Sequence, residues 1–189
     1  MDGTPVKIGL LNVAATAVLA LVAGCSSSQP STTPAPSQAR SVMTQGQLCD
    51  VLKNFFTSEL HAVEARAIPN VSTDTALTVG GVCELAQGAN PIGSYQVRNA
   101  PDEPDPTQGR RGYLKRPELG EAVWVYDMRT DTENPSNTVR FATRINKWNA
   151  ILEIRDSETR TATGELHLND GDKRKSVQFL TELTTKLAV

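Results

Sequence analysis

The chain has 189 residues, 39% of them hydrophobic, with 19 basic against 21 acidic side chains and a formal net charge of −2. So balanced a composition argues against a nucleic-acid partner and against a broadly polybasic membrane face. It leaves room for one ordinary domain with an adequate hydrophobic core, after an N-terminal stretch of different character.

Lys7 is the only basic residue of the opening, residues 8–22 carry little that is polar besides Asn12 and Thr16, and small residues lead into Cys25. A membrane-spanning helix wants about 20 predominantly apolar residues, and this run is shorter, with no charged stop-transfer cluster after it. Residues 1–24 therefore read as a signal peptide. Val22, Ala23, Gly24 and Cys25 resemble the lipobox of bacterial lipoproteins. In that motif small residues let the backbone enter the signal peptidase, and the cysteine sulfur carries a diacylglyceryl group. Lipidation of Cys25 with acyl chains such as palmitate, each CH₂ contributing about 0.8 kcal/mol on burial, would hold the chain on the outer face of the cell membrane. A secreted soluble protein and an uncleaved anchor are the rival readings.

Residues 25–40 continue the lipidated cysteine into a run of Ser, Thr, Pro, Gln and Ala without aromatic residues. Nothing in it can bury a core, so it reads as a tether, and its hydroxyls offer sites for sugar. Fourteen residues at roughly 3.1 Å each would lift a domain about 40 Å from lipid. Residues 41–189 then form one domain. With Cys25 lipidated, Cys49 and Cys83 remain, and two cysteines in one exported domain most simply pair. A thiol site, the rival, lacks both a CxxC spacing and an adjacent histidine.

Thr44 and Gln47 have capping-box spacing, and Leu48, Val51, Leu52, Phe55 and Phe56 recur at helical intervals, predicting an amphipathic helix to about residue 63. Residues 76–85, 92–97, 122–128, 138–145 and 148–154 are short β-branched and aromatic runs separated by Gly, Pro, Asn and Asp, which read as strands. Val139, Phe141 and Ile145 alternate with Arg140, Ala142 and Arg144, as in a sheet with one wet face. Asn146-Lys147 supplies a hairpin turn. Val177, Leu180, Leu183 and Leu187 return to helical spacing, with Asp170 or Asp172 as cap. The expected fold is α+β: an antiparallel sheet of about five strands with an N-terminal and a C-terminal helix packed on one face.

Cys49-Asp50-Val51-Leu52, Val82-Cys83-Glu84-Leu85, Gly120-Glu121-Ala122-Val123-Trp124 and the closing amphipathic helix resemble a family of small actinobacterial cell-envelope lipoproteins with a domain of unknown function. The resemblance covers most of residues 44–189. It implies the location and the disulfide, and adds no catalytic residue.

Chemistry-bearing motifs are few. His61 and His167 form no HExxH and have no metal-ligand partner at usable spacing; they read as a charge at a helix end and a solvent-facing strand residue. Gly93-Ser94-Tyr95 is not a nucleophile elbow. Glu118 and Glu121 read as loop and edge charges. Asn169-Asp170-Gly171-Asp172 offers oxygens around a glycine turn but lacks the rest of a calcium loop, which leaves a turn with a helix cap. No catalytic residue, metal site or cofactor is assigned. Arg110, Arg111, Lys115 and Arg116 gather around Tyr113 and Leu114, and are candidates for an anionic ligand such as lipid headgroups. The proline-rich loop 99–119 around them is expected to be an exposed, mobile excursion without a strand.

The leading expectation is a lipid-anchored envelope protein, non-catalytic, whose domain binds an apolar ligand or an envelope protein partner. The alternative is an envelope-modifying hydrolase or transferase using carboxylates assembled by the fold, and a third is a structural accessory of a larger complex. An apolar cavity between sheet and helices, a polar cleft with facing carboxylates, or an exposed apolar patch would favour these in turn.

Overall fold

A computed structural model of the protein describes residues 42–188. The expected signal peptide, Cys25 and the whole tether lie outside the described residues. Among the described residues no helix is long and apolar enough to cross a membrane.

Helix α1 (Gln45–Ser58) begins at the expected capping box: the Thr44 hydroxyl accepts from the Gln47 N–H, and the Gln47 side chain accepts from the Thr44 N–H. It ends short of residue 63. The Leu60 and Ala62 N–H groups turn back onto the carbonyls of Phe55 and Phe56, and His61 takes a positive φ of 57°. Leu60 and Ala62 stay buried beyond the helix, so an apolar pattern outlasts the helical backbone that began it.

Seven strands, rather than about five, form one antiparallel sheet: β1 (Arg66–Pro69), β2 (Gly80–Gln87), β3 (Asn90–Asn99), β4 (Leu114–Lys115), β5 (Val123–Asp127), β6 (Thr138–Ile145) and β7 (Trp148–Arg155). Their order is β1-β2-β3-β7-β6-β5-β4, so the two strands that sequence did not predict, β1 and β4, are the edges. A small hairpin of β8 (Arg160–Thr161) and β9 (Gly164–Glu165) precedes helix α2 (Asp170–Leu187). β2 starts later than residue 76 because the preceding segment bonds to the start of α1, where Gln45 N–H donates to the Thr75 carbonyl and Leu77 N–H to that of Met43.

Register fixes the two faces. Cys83, Tyr95, Leu152, Phe141 and Val125 are partners on successive strands and share one face. Cys83 is disulfide-bonded to Cys49 of α1, and the Tyr95 hydroxyl meets that of Thr184 in α2 at 3.0 Å. Both helices therefore lie on the same face, as the sequence predicts, and the expected disulfide is formed. Burial between α2 and the sheet pushes the Tyr95 hydroxyl's pKa well up and keeps it neutral. Gly93 lets the Phe56 ring lie directly on the β3 backbone, since a side chain there would meet both the Phe56 ring and the Glu153 carbonyl. Among the described residues the apolar cluster, the disulfide, both helices and the strands belong to one compact unit.

α2 is capped by Asn169, not by Asp170 or Asp172. The Asn169 side chain accepts from the N–H groups of Gly171 and Asp172, and Asp172 returns the bond to Asn169 N–H. The four-residue motif 169–172 is thus a helix cap.

Candidate functional site

Among the described residues no helix lies on the other face of the sheet. In place of one, a strap of residues 100–113 runs across it between β3 and β4. Arg144 pins the strap: its guanidinium donates to the carbonyls of Ala100, Pro101 and Glu103 and to Oδ1 of Asn149. Asn149 Nδ2 donates to the Glu103 carbonyl at 2.9 Å, and Ala100 N–H to the Lys147 carbonyl at 2.7 Å. The Asp105 carboxylate closes the turn by accepting from Thr107 Oγ1 and N–H and from Gly109 N–H. Those bonds, the Thr107 hydroxyl's first, hold its pKa below the usual carboxylate value. Pro106 and Thr107 are buried, as is Ala142 on this face of β6.

The expectation of a strandless loop is corrected, and that of an exposed one holds for most of its residues but not for Ala100, Pro106 and Thr107, which are buried. Proline withholds a donor, but its ring is apolar and can be buried, while Arg144 and Asn149 supply the donors that the strap's own backbone does not find in a ladder. Leu114 and Lys115, at the end of the same loop, pair with Val125 and Trp124 as the edge strand β4.

Between strap and sheet lies a cleft of about 300 Å³. Two rungs of the register make its floor: Val82, Gln96 and Ile151 in one, Gly80, Arg98 and Asn149 in the next. Pro106 and Gln108 of the strap and Asn70, just past β1, form its walls. Among the described residues the side-chain amides of Asn70, Gln96 and Gln108 make no hydrogen bond, whereas Arg98 is paired with Glu103 on the strap. The cleft thus offers three solvent-exposed amides without a protein partner, one guanidinium with a displaceable partner, and an apolar strip of Val82, Ile151 and Pro106. Sequence reasoning missed all of these residues. They come from five separate segments, and the only local signal was the wet side of strand alternation at Gln96 and Arg98.

The four candidate cations do not converge on one point. Arg110 and Arg111 are exposed and, among the described residues, have no carboxylate partner. The Lys115 ammonium sits 5.7 Å over the Trp124 ring, on the helix-free side. Arg116 pairs with Glu118. Arg111 and Arg116 do line one open groove of about 720 Å³ along the sheet edge, but Asp131 and Glu133 line it too. Gly112 between them has φ +88°, and a Cβ there would stand 2.5 Å from the Tyr126 ring. The Tyr113 and Tyr126 rings lie 5.6 Å apart, and burial raises the pKa of the Tyr113 hydroxyl.

His61 and His167 are exposed and line one shallow groove with Glu59 and Asp172. His167 stands in an extended segment outside the sheet, between buried Leu166 and Leu168, which corrects its placement on a strand. Among the described residues no group of three His, Cys, Asp or Glu side chains is arranged to hold a metal ion. Glu118 and Glu121 are both exposed. Comparison with protein-family models, with curated proteins and with solved structures finds no match.

Proposed function

We propose that the protein is an exported lipoprotein, anchored through Cys25 on the extracytoplasmic face of the cell membrane, whose domain is a non-catalytic binding module with its ligand surface on the helix-free side of the sheet. The observation that carries the reading is the cleft between strap and sheet. A packed segment without regular structure replaces a covering helix, and it leaves amides and a guanidinium unpaired or displaceable rather than satisfied within the fold. The cleft has a mixed polar and apolar lining and lies away from the helices, where an apolar cavity beneath them was expected, and its amides and guanidinium suit a ligand with polar groups. The Cys49–Cys83 disulfide supports export, since such bonds persist in oxidising compartments. Membership of the small actinobacterial envelope lipoproteins belongs to the same proposal, and rests on the short motifs around Cys49, Cys83 and Trp124.

The location is tested with Cys25→Ala. The variant is expected to leave the detergent phase for the aqueous exported fraction, or to accumulate as precursor, because the acyl chains carry the anchoring energy. Normal processing with unchanged membrane partition would overturn the lipoprotein reading.

A further inference from the structure

Resting on that binding reading, we infer the ligand class: the cleft takes a small ligand that carries a carboxylate next to an amide, as in an N-acyl amino acid or the C-terminal end of a peptide. A volume of about 300 Å³ is at the small end of ligand sites, so the occupant is of metabolite size or is the end of a longer chain. The guanidinium of Arg98 is the one charged side chain among the cleft's lining residues. Its fork geometry matches a carboxylate, and its present partner is itself a carboxylate, that of Glu103. Asn70, Gln96 and Gln108 each present a donor and an acceptor, the complement of an amide group that has one of each. Val82, Ile151 and Pro106 complete the lining with room for a small apolar side chain.

Glu103 is therefore an internal stand-in for the ligand. Its backbone carbonyl is fixed to the sheet by Arg144 and Asn149, while its side chain, half exposed, occupies Arg98. An entering carboxylate replaces the Glu103 side chain on Arg98 without dislodging the strap, because the strap's anchors are backbone carbonyls and not that ion pair. The exchange makes Glu103 a competitor, and removing its charge should help the ligand.

The probe is N-acetyl-alanyl-alanine, titrated into the chain from Ser26 onward by NMR and calorimetry, against the same molecule as its C-terminal amide. We expect the acid to shift the amide signals of Gly80, Gly81, Gln96, Arg98 and Gln108, and to bind at least about tenfold more tightly than the amide, the usual size of one charge-assisted hydrogen bond. Arg98→Gln should lose that preference, and Glu103→Gln should bind the acid severalfold more tightly than wild type. A role for the pair in stability alone would not produce the second result, and melting curves of both variants guard against misfolding. A longer peptide with the same terminus separates the two sources: equal binding assigns a peptide end, its exclusion a free acyl amino acid, and either upholds the proposal. Equal binding of acid and amide, or weaker binding by Glu103→Gln, would overturn the carboxylate inference and leave the cleft as a site for neutral ligands. The absence of shifts around the cleft with acid, amide and N-acetylglucosamine alike would overturn the placement of the site as well.

Discussion

Replacing Arg144 by alanine should release the strap while the domain stays folded. Arg144 donates to three strap carbonyls and to Asn149, and Asn149 in turn holds the Glu103 carbonyl. A hydrogen bond from a charged donor contributes about 1.5 to 3 kcal/mol net, but these are partly exposed and the freed carbonyls recover water when the strap lifts. A combined loss of about 2 kcal/mol is therefore expected locally, equivalent to about a 30-fold rise in the open population. Hydrogen exchange reads this directly at the amides of Glu103, Gln108 and Arg110, which donate within the strap to Ala100, Asp105 and Thr107. The core amides of β3, β6 and β7 should change far less, and the melting temperature should fall by only a few degrees. Arg144→Lys, with one point charge in place of a planar fork, should fall between. Unchanged exchange in the strap of Arg144→Ala would refute the pinning argument. Global unfolding would show instead that the strap is a structural part of the core.

Reduction of Cys49–Cys83, or Cys49→Ser with Cys83→Ser, reopens a closed loop with a sequence separation of 34. The loss should be about 3 to 4 kcal/mol in the entropic account, visible as a lowered melting temperature, and two alkylatable thiols in the natively exported protein would contradict it. At the entry to α2, the Arg129 guanidinium bonds to Asp127 and holds that carboxyl below the usual carboxylate pKa. A depressed folded-state value contributes stability that is present above the unfolded pKa and disappears as pH falls through the folded one, so the loss should appear below about pH 4. Arg129→Gln should remove that part of the acid sensitivity in pH-dependent denaturation. It should also lower stability by about 3 kcal/mol, because the nearly buried Asp156 carboxylate, 2.7 Å from Arg129, loses its cation. Neutralising Arg110, Arg111, Lys115 and Arg116 together should shift the melting temperature by no more than about 3 °C, since exposed charges contribute little. The same variant should bind anionic vesicles more weakly at low salt, and equal binding would leave the cluster as solvated charge.

Where local chemistry dictates local structure, residues alone gave the answer. The Thr44–Gln47 box opens α1, β6 occupies residues 138–145 as its alternation requires, and Cys49 pairs with Cys83. Errors arose where a pattern has two structural meanings. Leu60 and Ala62 continue an apolar series whether the backbone is helical or extended, and prolines 104 and 106 read as exposed although Pro106 is buried. Asn169-Asp170-Gly171-Asp172 offers several caps, and only the backbone geometry chooses Asn169. β1 and β4 were invisible because a two- or four-residue edge strand has too few positions to show alternation. The cleft was beyond reach for another reason. Gln96 and Arg98 are neighbours on β3, but their companions Asn70, Gln108 and Asn149 arrive only through strand register and the path of the strap.

The position of the disulfide bears on how the domain carries load. If the chain is held by lipid at Cys25 as proposed above, a pull on the domain enters it at Thr44, the first residue before α1. An unstapled helix held by side-chain packing would be peeled away one turn at a time, each step resisted only by a few contacts. Cys49 lies within the first two turns of α1, and its bond to Cys83 delivers the force into β2, which is laddered on both sides by β1 and β3. Rupture there then requires the ladders of β2 with β1 and β3 to give way as well as the packing of α1. The covalent link thereby ties the point of attachment to the sheet as well as to the helix packing, so that tension on α1 is shared with β2.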